Sequence, residues 1–310
     1  MKLVSRSCMP AGRPALLALI TLLSAAALMA ACSGSGGGTA KTSARPAATA
    51  ASPQPTVASP QPTAPDRGPG QKGPVVRGIY RFKSEDWGAM ASAGFNAVTD
   101  GNSFGAAQTA ARLAGMVWMG SWSADRCAFE LSPEQMAARV DQNRGVNSYF
   151  QLGDEPNVQK CPGAPAAYRQ ATALVHLHDP TAQTWVADDQ FNDPNLAAWP
   201  SGLPMQGTVD ILAFDVYPCQ PAQPCRYNLI DEAVLRIHQA GVKSWQFILP
   251  DFNEPSWRQP TPTELTQMYG HWQGQGASGY WLYAWDADGV DIRTLPGNLD
   301  AVTAINQQPV

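Results

Sequence analysis

Three segments share one pattern: Ser92-Ala-Gly-Phe-Asn-Ala-Val98, Gln239-Ala-Gly-Val-Lys-Ser-Trp-Gln-Phe247 and Gly274-Gln-Gly-Ala-Ser-Gly-Tyr-Trp-Leu282. Each closes a helix-like run at a glycine and then enters a short apolar run. Glycine suits the left-handed backbone that ends helices. A short apolar run rich in aromatic and β-branched residues reads as a buried strand. Working outward, strands are expected over 75–80, 95–99, 116–120, 146–152, 184–187, 209–214, 244–249 and 279–283. Helices are expected from Ser84 to Ala93 and over 106–114, from Ser132 onward, and over 164–178, 229–240, 263–274 and 298–305. Ser132-Pro133-Glu134-Gln135 has the form of a capped helix start. Eight strands alternating with helices predict an α/β fold, a single-domain (β/α)8 TIM barrel over residues 75–310, a length near the roughly 250 residues typical of that fold. An open doubly wound sheet is the competitor, but no Gly-rich phosphate loop follows the first strand.

The ends of the chain differ from this domain. Lys2, Arg6 and Arg13 precede an uncharged apolar run, Leu16 to Leu28, followed by Met29-Ala-Ala-Cys32. A basic start, an apolar run and small residues before a cleavage point mark a signal peptide over residues 1–31. Cys32 at the first mature position resembles the lipobox of bacterial lipoproteins. The resemblance implies an acylated Cys32 and export, with the chain held on the outer face of a bacterial membrane through the lipid alone. Residues 32–74 are Gly, Ser, Ala, Thr, Pro and Gln with almost no large apolar side chains, and include the repeat Ala51-Ser-Pro-Gln-Pro-Thr56, Ala58-Ser-Pro-Gln-Pro-Thr63. Such a stretch buries too little apolar surface to offset its ordering entropy, and is expected to be a disordered stalk.

Charge and cysteines narrow the partners. Lys2, Arg6, Arg13, Lys41, Arg45, Arg67 and Lys72 stand against Asp66 alone in residues 1–74. Of the chain's 21 basic and 25 acidic residues, 14 and 24 therefore fall in the domain, a net charge of −10. That argues against a nucleic-acid partner, which needs a basic face. Cys127, Cys161, Cys219 and Cys225 remain after the signal and the lipid site. An even number in an exported domain reads as two disulfides. Three pairings are possible. Cys219 and Cys225 flank a short Pro-rich loop and should close it, leaving Cys127 with Cys161. No C-x-x-C pair points to a metal, no cofactor is implied, and a monomer is expected.

In such a barrel the working residues follow the C-terminal ends of the strands. Taken strand by strand, these are Arg81; Asp100; Trp122; Asp154, Glu155 and Asn157; Asp188 and Asp189; Asp215 and Tyr217; Asp251 and Glu254; and Trp285, Asp286 and Asp288. Carboxylates and aromatic rings thus converge on one rim, a composition suited to glycan chemistry, in which one carboxyl acts as acid and another as nucleophile or base. Trp118 and Trp245 lie within strands and are expected in the core. Asp286 and Asp288 read as loop acids rather than a calcium site. The histidines fall in helices away from the rim, and no G-x-S-x-G elbow is present.

Glu155-Pro156 after the fourth strand resembles the Asn-Glu-Pro motif of clan A glycoside hydrolases. The sixth-strand phrase from Val209 to Pro218 and Tyr280-Trp-Leu-Tyr-Ala-Trp285 are similar to the corresponding strands of that clan. The resemblance implies Glu155 as general acid/base and a sugar platform at Trp285. It also implies a second carboxylate closing the seventh strand, for which Asp251 is nearest in register. Asp154, Asn157, Asp215, Tyr217, Trp122 and Arg81 are the expected substrate contacts. Two departures stand out: Asp154 where the clan has Asn, and no Glu at the end of the seventh strand. The expected function is hydrolysis of an extracytoplasmic polysaccharide or oligosaccharide. The alternative is a carbohydrate-binding lipoprotein that keeps the barrel but not the catalysis.

Overall fold

The computed structural model describes residues 75–100, 110–147, 149–189 and 203–310. The signal segment, Cys32, the stretch to residue 74 and residues 106–109 of the helix expected over 106–114 lie outside them. Eight parallel strands close into a barrel: β1 (Val76–Ile79), β2 (Ala97–Asp100), β3 (Ala114–Trp118), β6 (Tyr149–Asp154), β7 (Gln183–Asp188), β8 (Ile211–Asp215), β9 (Trp245–Pro250) and β10 (Gly279–Tyr283), which pairs back to β1. A small antiparallel hairpin, β4 (Trp122–Ser123) with β5 (Ala128–Phe129), sits in the third strand-to-helix loop. The described helices are α1 (Trp87–Ser92), α2 (Pro133–Asn143), α3 (Ala164–His178), α4 (Asn228–Ala240), α5 (Pro262–Trp272) and α6 (Pro296–Asn306). None is long and apolar enough to cross a membrane.

Capping chemistry sets the helix starts. Ser132 and Thr261 each accept from the backbone three residues on, and Gln135 and Glu264 reach back, which makes a capping box before α2 and α5. Left-handed Gly241 ends α4. Two boundaries differ from expectation. Arg112 adopts a left-handed φ of 60°, so the chain turns there and Ala114 opens β3, where the sequence suggested continued helix. Gly145, at φ 75°, leaves Val146 exposed in a turn, and the fourth strand starts at Tyr149.

Strand alternation sorts the side chains into two cores. Val76, Ala97, Met116, Trp185, Ala187, Ile211, Ala213, Ile248 and Trp281 fill the barrel interior. Trp245, Phe247, Leu249, Leu212, Phe214 and Val186 face outward and pack with the helices. Inside, Gln246 Oε1 accepts from Trp185 Nε1 at 2.9 Å and Trp281 Nε1 at 2.6 Å, so two buried indoles share one acceptor. Gly78 makes room for this layer, since a Cβ there would stand 2.0 Å from the Trp281 ring. Both expected disulfides form, Cys127–Cys161 joining the hairpin to the loop before α3, and Cys219–Cys225 closing its own loop.

Candidate active site

The same alternation decides which rim groups face the barrel mouth. On β8, Ile211 and Ala213 point inward, so Asp215 does too, and Tyr217 two residues on lies above it. On β7, Trp185 and Ala187 point inward, which puts Asp189 on the inner side and Asp188 on the outer. On β6 the alternation is interrupted. Gln151 pairs with Trp185, Gly153 with Val186 and Asp154 with Ala187, so Leu152 and Gly153 together oppose one residue of β7. This bulge turns Asp154 inward, where an unbroken strand would send it to the helices. Gly153 then faces outward, close under the Tyr168 hydroxyl.

Immediately after the bulge, Glu155 adopts a left-handed φ of 42° and its N–H donates to Ala187 O at 3.1 Å. A non-glycine residue in that region is strained, and such strain persists where the surroundings hold it. A cavity of about 250 Å³ opens there, lined by Tyr80, Asp154, Glu155, Asp189, Tyr217, Phe252, Glu254, Trp257 and Tyr283. An adjoining cavity of about 260 Å³ shares Tyr80, Asp154 and Tyr283 and adds Arg81, Phe82, Thr99, Trp118 and Gln151. The aromatic wall is interlocked: Tyr217 meets Phe252 and Trp257 edge-on at 5.0 and 5.5 Å, and Phe252 meets Tyr283 at 5.2 Å. Glu254 and Trp257 are held together by a backbone bridge, with Glu254 N donating to Trp257 O at 2.8 Å.

The acids perturb one another. Asp215 is 1% exposed. Burial, then the neighbouring Glu155 carboxyl, push it well above the usual carboxylate range. That burial favours the neutral form of Asp215. The Tyr217 hydroxyl donates to Asp215 Oδ2 at 3.2 Å. Asp154 is raised to about 6, chiefly by desolvation of its carboxyl, with Glu155 and Asp189 adding to the rise. Although part of Asp154 remains open to solvent at the mouth, the Tyr80 hydroxyl donates to its Oδ1 and Gln151 Nε2 donates to Tyr80 at 2.8 Å. Asp189 is also raised to about 6 by burial and then by Glu155.

Several expected contacts stand elsewhere. Asp251 is fully buried and turned away from the cavity. Its Oδ1 accepts from Asn298 Nδ2 at 2.8 Å and from Gln259 Nε2. The reason is alternation: Gln246 and Ile248 face inward, so Asp251 faces the helices, and the inward position closing β9 is Pro250, paired with Tyr283. The carboxylate that the seventh loop does bring to the cavity is Glu254. Trp285 is fully buried in the outer core against Phe95, 6.1 Å away and edge-on, so it is not a surface platform. Trp122 packs between Phe129 and Tyr168 and lines an apolar lateral groove rather than the mouth. Asn157 Oδ1 caps a turn by accepting from Lys160 N at 2.8 Å. Arg81 reaches the adjoining cavity and pairs with Asp288 at 3.4 Å. Asp286 accepts from the backbone of Lys83 and Ser84 and pairs with Arg293. Trp118, expected in the core, is half-buried and lines the adjoining cavity, whereas Trp245 is core as expected.

Tyr80, Gln151, Phe252, Trp257 and Tyr283 were not singled out in the sequence. Tyr80 and Tyr283 are inward positions at or just past strand ends and Gln151 is an inward position within β6, so counting alternation along each strand would have found them. Phe252 and Trp257 lie on a loop and carry no such signal.

No known family model matches the chain, and no curated protein matches it in sequence. Solved structures do match. A GH2 beta-galacturonidase from Eisenbergiella tayi, bound to galacturonate, superposes with a TM-score of 0.52 at 11% identity over 75% of this chain and 50% of that one. An endo-1,4-beta-mannanase from Eisenia fetida gives a TM-score of 0.49 at 9% identity, over 76% and 92% of the two chains. A beta-mannanase from the blue mussel Mytilus edulis gives 0.47 at 11% identity, over 72% and 83%. The chain therefore spans half the length of the galacturonidase. At such identity the galacturonidase likeness establishes the fold alone, a (β/α)8 barrel.

Proposed function

We propose that residues 75–310 hydrolyse glycosidic bonds of an oligosaccharide or polysaccharide outside the cytoplasm, on a chain exported by residues 1–31 and held to a membrane through lipid on Cys32. One observation carries the hydrolytic reading. Glu155, after β6, and Glu254, in the loop after β9, line one aromatic-walled cavity from strands three places apart round the barrel. Glu155 acts as the acid that protonates the leaving glycosidic oxygen. Glu254 attacks the anomeric carbon, or draws the proton from a water that does, and one water is consumed per bond broken. Tyr217, Trp257 and Tyr283 offer ring faces to the sugar. Asp154 stands where the resembling clan has Asn. With its carboxyl raised to about 6 it holds a proton in mildly acidic solution, and then donates O–H where the amide would donate N–H.

The two disulfides support the export reading, since such bonds persist in oxidising compartments. The test is a panel of polysaccharides with reducing-end release as the readout. Glu155→Gln and Glu254→Gln should each lower turnover by roughly 10²–10⁴-fold with unchanged thermal melts. Wild-type turnover in either variant would overturn that residue's role.

A second reading, binding without cleavage, is favoured by one feature: Pro250 fills the inward position that closes β9. In that case the panel shows saturable binding and no release of reducing ends by the unmodified protein.

A further inference from the structure

Two carboxyl groups suffice for glycoside hydrolysis, yet four line this cavity: Asp154, Glu155, Asp189 and Glu254. A fifth, Asp215, lies beneath them. Among the described residues, no Lys, Arg or His lines that cavity. Arg81, in the adjoining cavity, is paired with Asp288. The surplus is therefore not balanced from within the cavity. The walls add to this, because the faces of Tyr80, Tyr217, Trp257 and Tyr283 carry the negative end of the ring quadrupole and attract cations.

We propose that the cavity at the barrel mouth takes a cationic amino sugar, a glycan with a free ammonium group, in preference to neutral or uronic-acid sugars. The proposal rests on the carbohydrate reading above and narrows it. An ammonium offers three donors and no acceptor, which suits a cavity lined by four carboxyl groups and aromatic ring faces. The same set repels a uronate. The amide of an N-acetylated sugar has one N–H and no charge, and leaves most of the acids unpaired. Asp189 and Glu254 are the residues assigned to the ammonium on this proposal, one on each side of Tyr217.

The experiment uses the full chain and three oligosaccharides: a β-1,4-linked glucosamine hexamer, its fully N-acetylated form and a galacturonate hexamer. Binding is followed by calorimetry at pH 6.5 in low and high salt, with turnover measured in parallel. The glucosamine hexamer should bind at least about tenfold more tightly than either other probe, the equivalent of one charge-assisted hydrogen bond. Its affinity should fall as salt rises. Asp189→Asn, with an unchanged melt, should narrow the preference for the glucosamine hexamer over the acetylated one. Equal or tighter binding of the acetylated or galacturonate hexamer overturns the proposal and leaves the carbohydrate reading standing. Binding of none of the three overturns both.

Discussion

At the scale of single residues, Asp154 links the geometry to a measurable pH profile. Its carboxyl lies in the mouth because a bulge turned it there, accepts from Tyr80, and is raised to about 6 by desolvation and by the acids beside it. If its proton supplies the donor to substrate, activity is highest below that value and falls as pH rises through it. Replacing Asp154 with Asn gives a permanent donor of the same shape and removes one negative charge from Glu155 and Asp189. The Asp154→Asn variant should therefore stay active, with the alkaline limb near pH 6 lost from its kcat/KM profile. A profile whose alkaline limb stays put, or loss of activity at every pH, would show that Asp154 does something an amide cannot. Asp215→Asn is a useful control. Burial favours the neutral form of that carboxyl, so an amide in its place should change the limb little.

At the scale of elements, the β6 bulge is the feature on which the site depends most. Leu152 and Gly153 both face outward, and Gly153 can do so only because it lacks a Cβ. An added methyl there would stand 2.3 Å from the Tyr168 hydroxyl, which is itself buried without a partner among the described residues. Gly153→Ala should destabilise the domain by about 1–3 kcal/mol through overpacking, and lower activity by shifting Asp154 and Glu155. Removing the hydroxyl as well, in the Gly153→Ala, Tyr168→Phe double variant, should recover most of that loss in chemical denaturation. Strictly additive losses would mean that the clash does not set the geometry. This bulge also marks the limit of what the sequence made legible. The eight strands could be read from apolar runs and glycine stops, because burial and helix termination are local signals. Glu155, Asp215, Tyr217 and Arg81 could be placed on the rim for the same reason. Asp251 and Trp285 were misplaced because their facing depends on counting alternation through the strand, and nearness to a strand end says nothing about which side a residue takes. Asp154 would have been misplaced by that count, because a bulge shifts it by one residue and nothing in Gln151-Leu-Gly-Asp154 announces one. Glu254 and Trp257 belong to a loop whose conformation is set by its own backbone bridge and by contact with the next loop, where Asn253 N donates to Asp288 O at 3.4 Å.

At the scale of the whole molecule, opposing sets of acids shape stability against pH. Asp154, Asp189, Asp215 and Asp251 are all raised, each mainly by burial. A raised acid binds its proton more tightly when folded than when unfolded. Its contribution is full below the unfolded value near 4 and is lost as pH climbs through the folded value. Glu264 runs the other way. Its bond with Arg258, aided by the Thr261 cap, holds it at about 2, so its contribution is present above the unfolded value and is lost as pH falls toward 2. Stability should therefore peak near pH 4–5, below the usual range of about 5–8, and decline toward neutrality. Asp251 isolates one share of that decline. It is fully buried, is raised to about 7 and lies outside the cavity, so it can be changed without touching the rim. Asp251→Asn keeps an oxygen for Asn298 and Gln259 and removes the buried titration. The linkage for a shift of that size is on the order of 2–4 kcal/mol between pH 4 and 8. Melting curves of both proteins across that range check it. The unmodified chain should lose stability steadily from pH 5 to 8, and the variant should lose less, gaining on its parent as pH rises. A parent whose melting temperature climbs through that range, or a variant whose curve runs parallel to it, would rule out Asp251 as a buried acid that gives up its proton near neutrality.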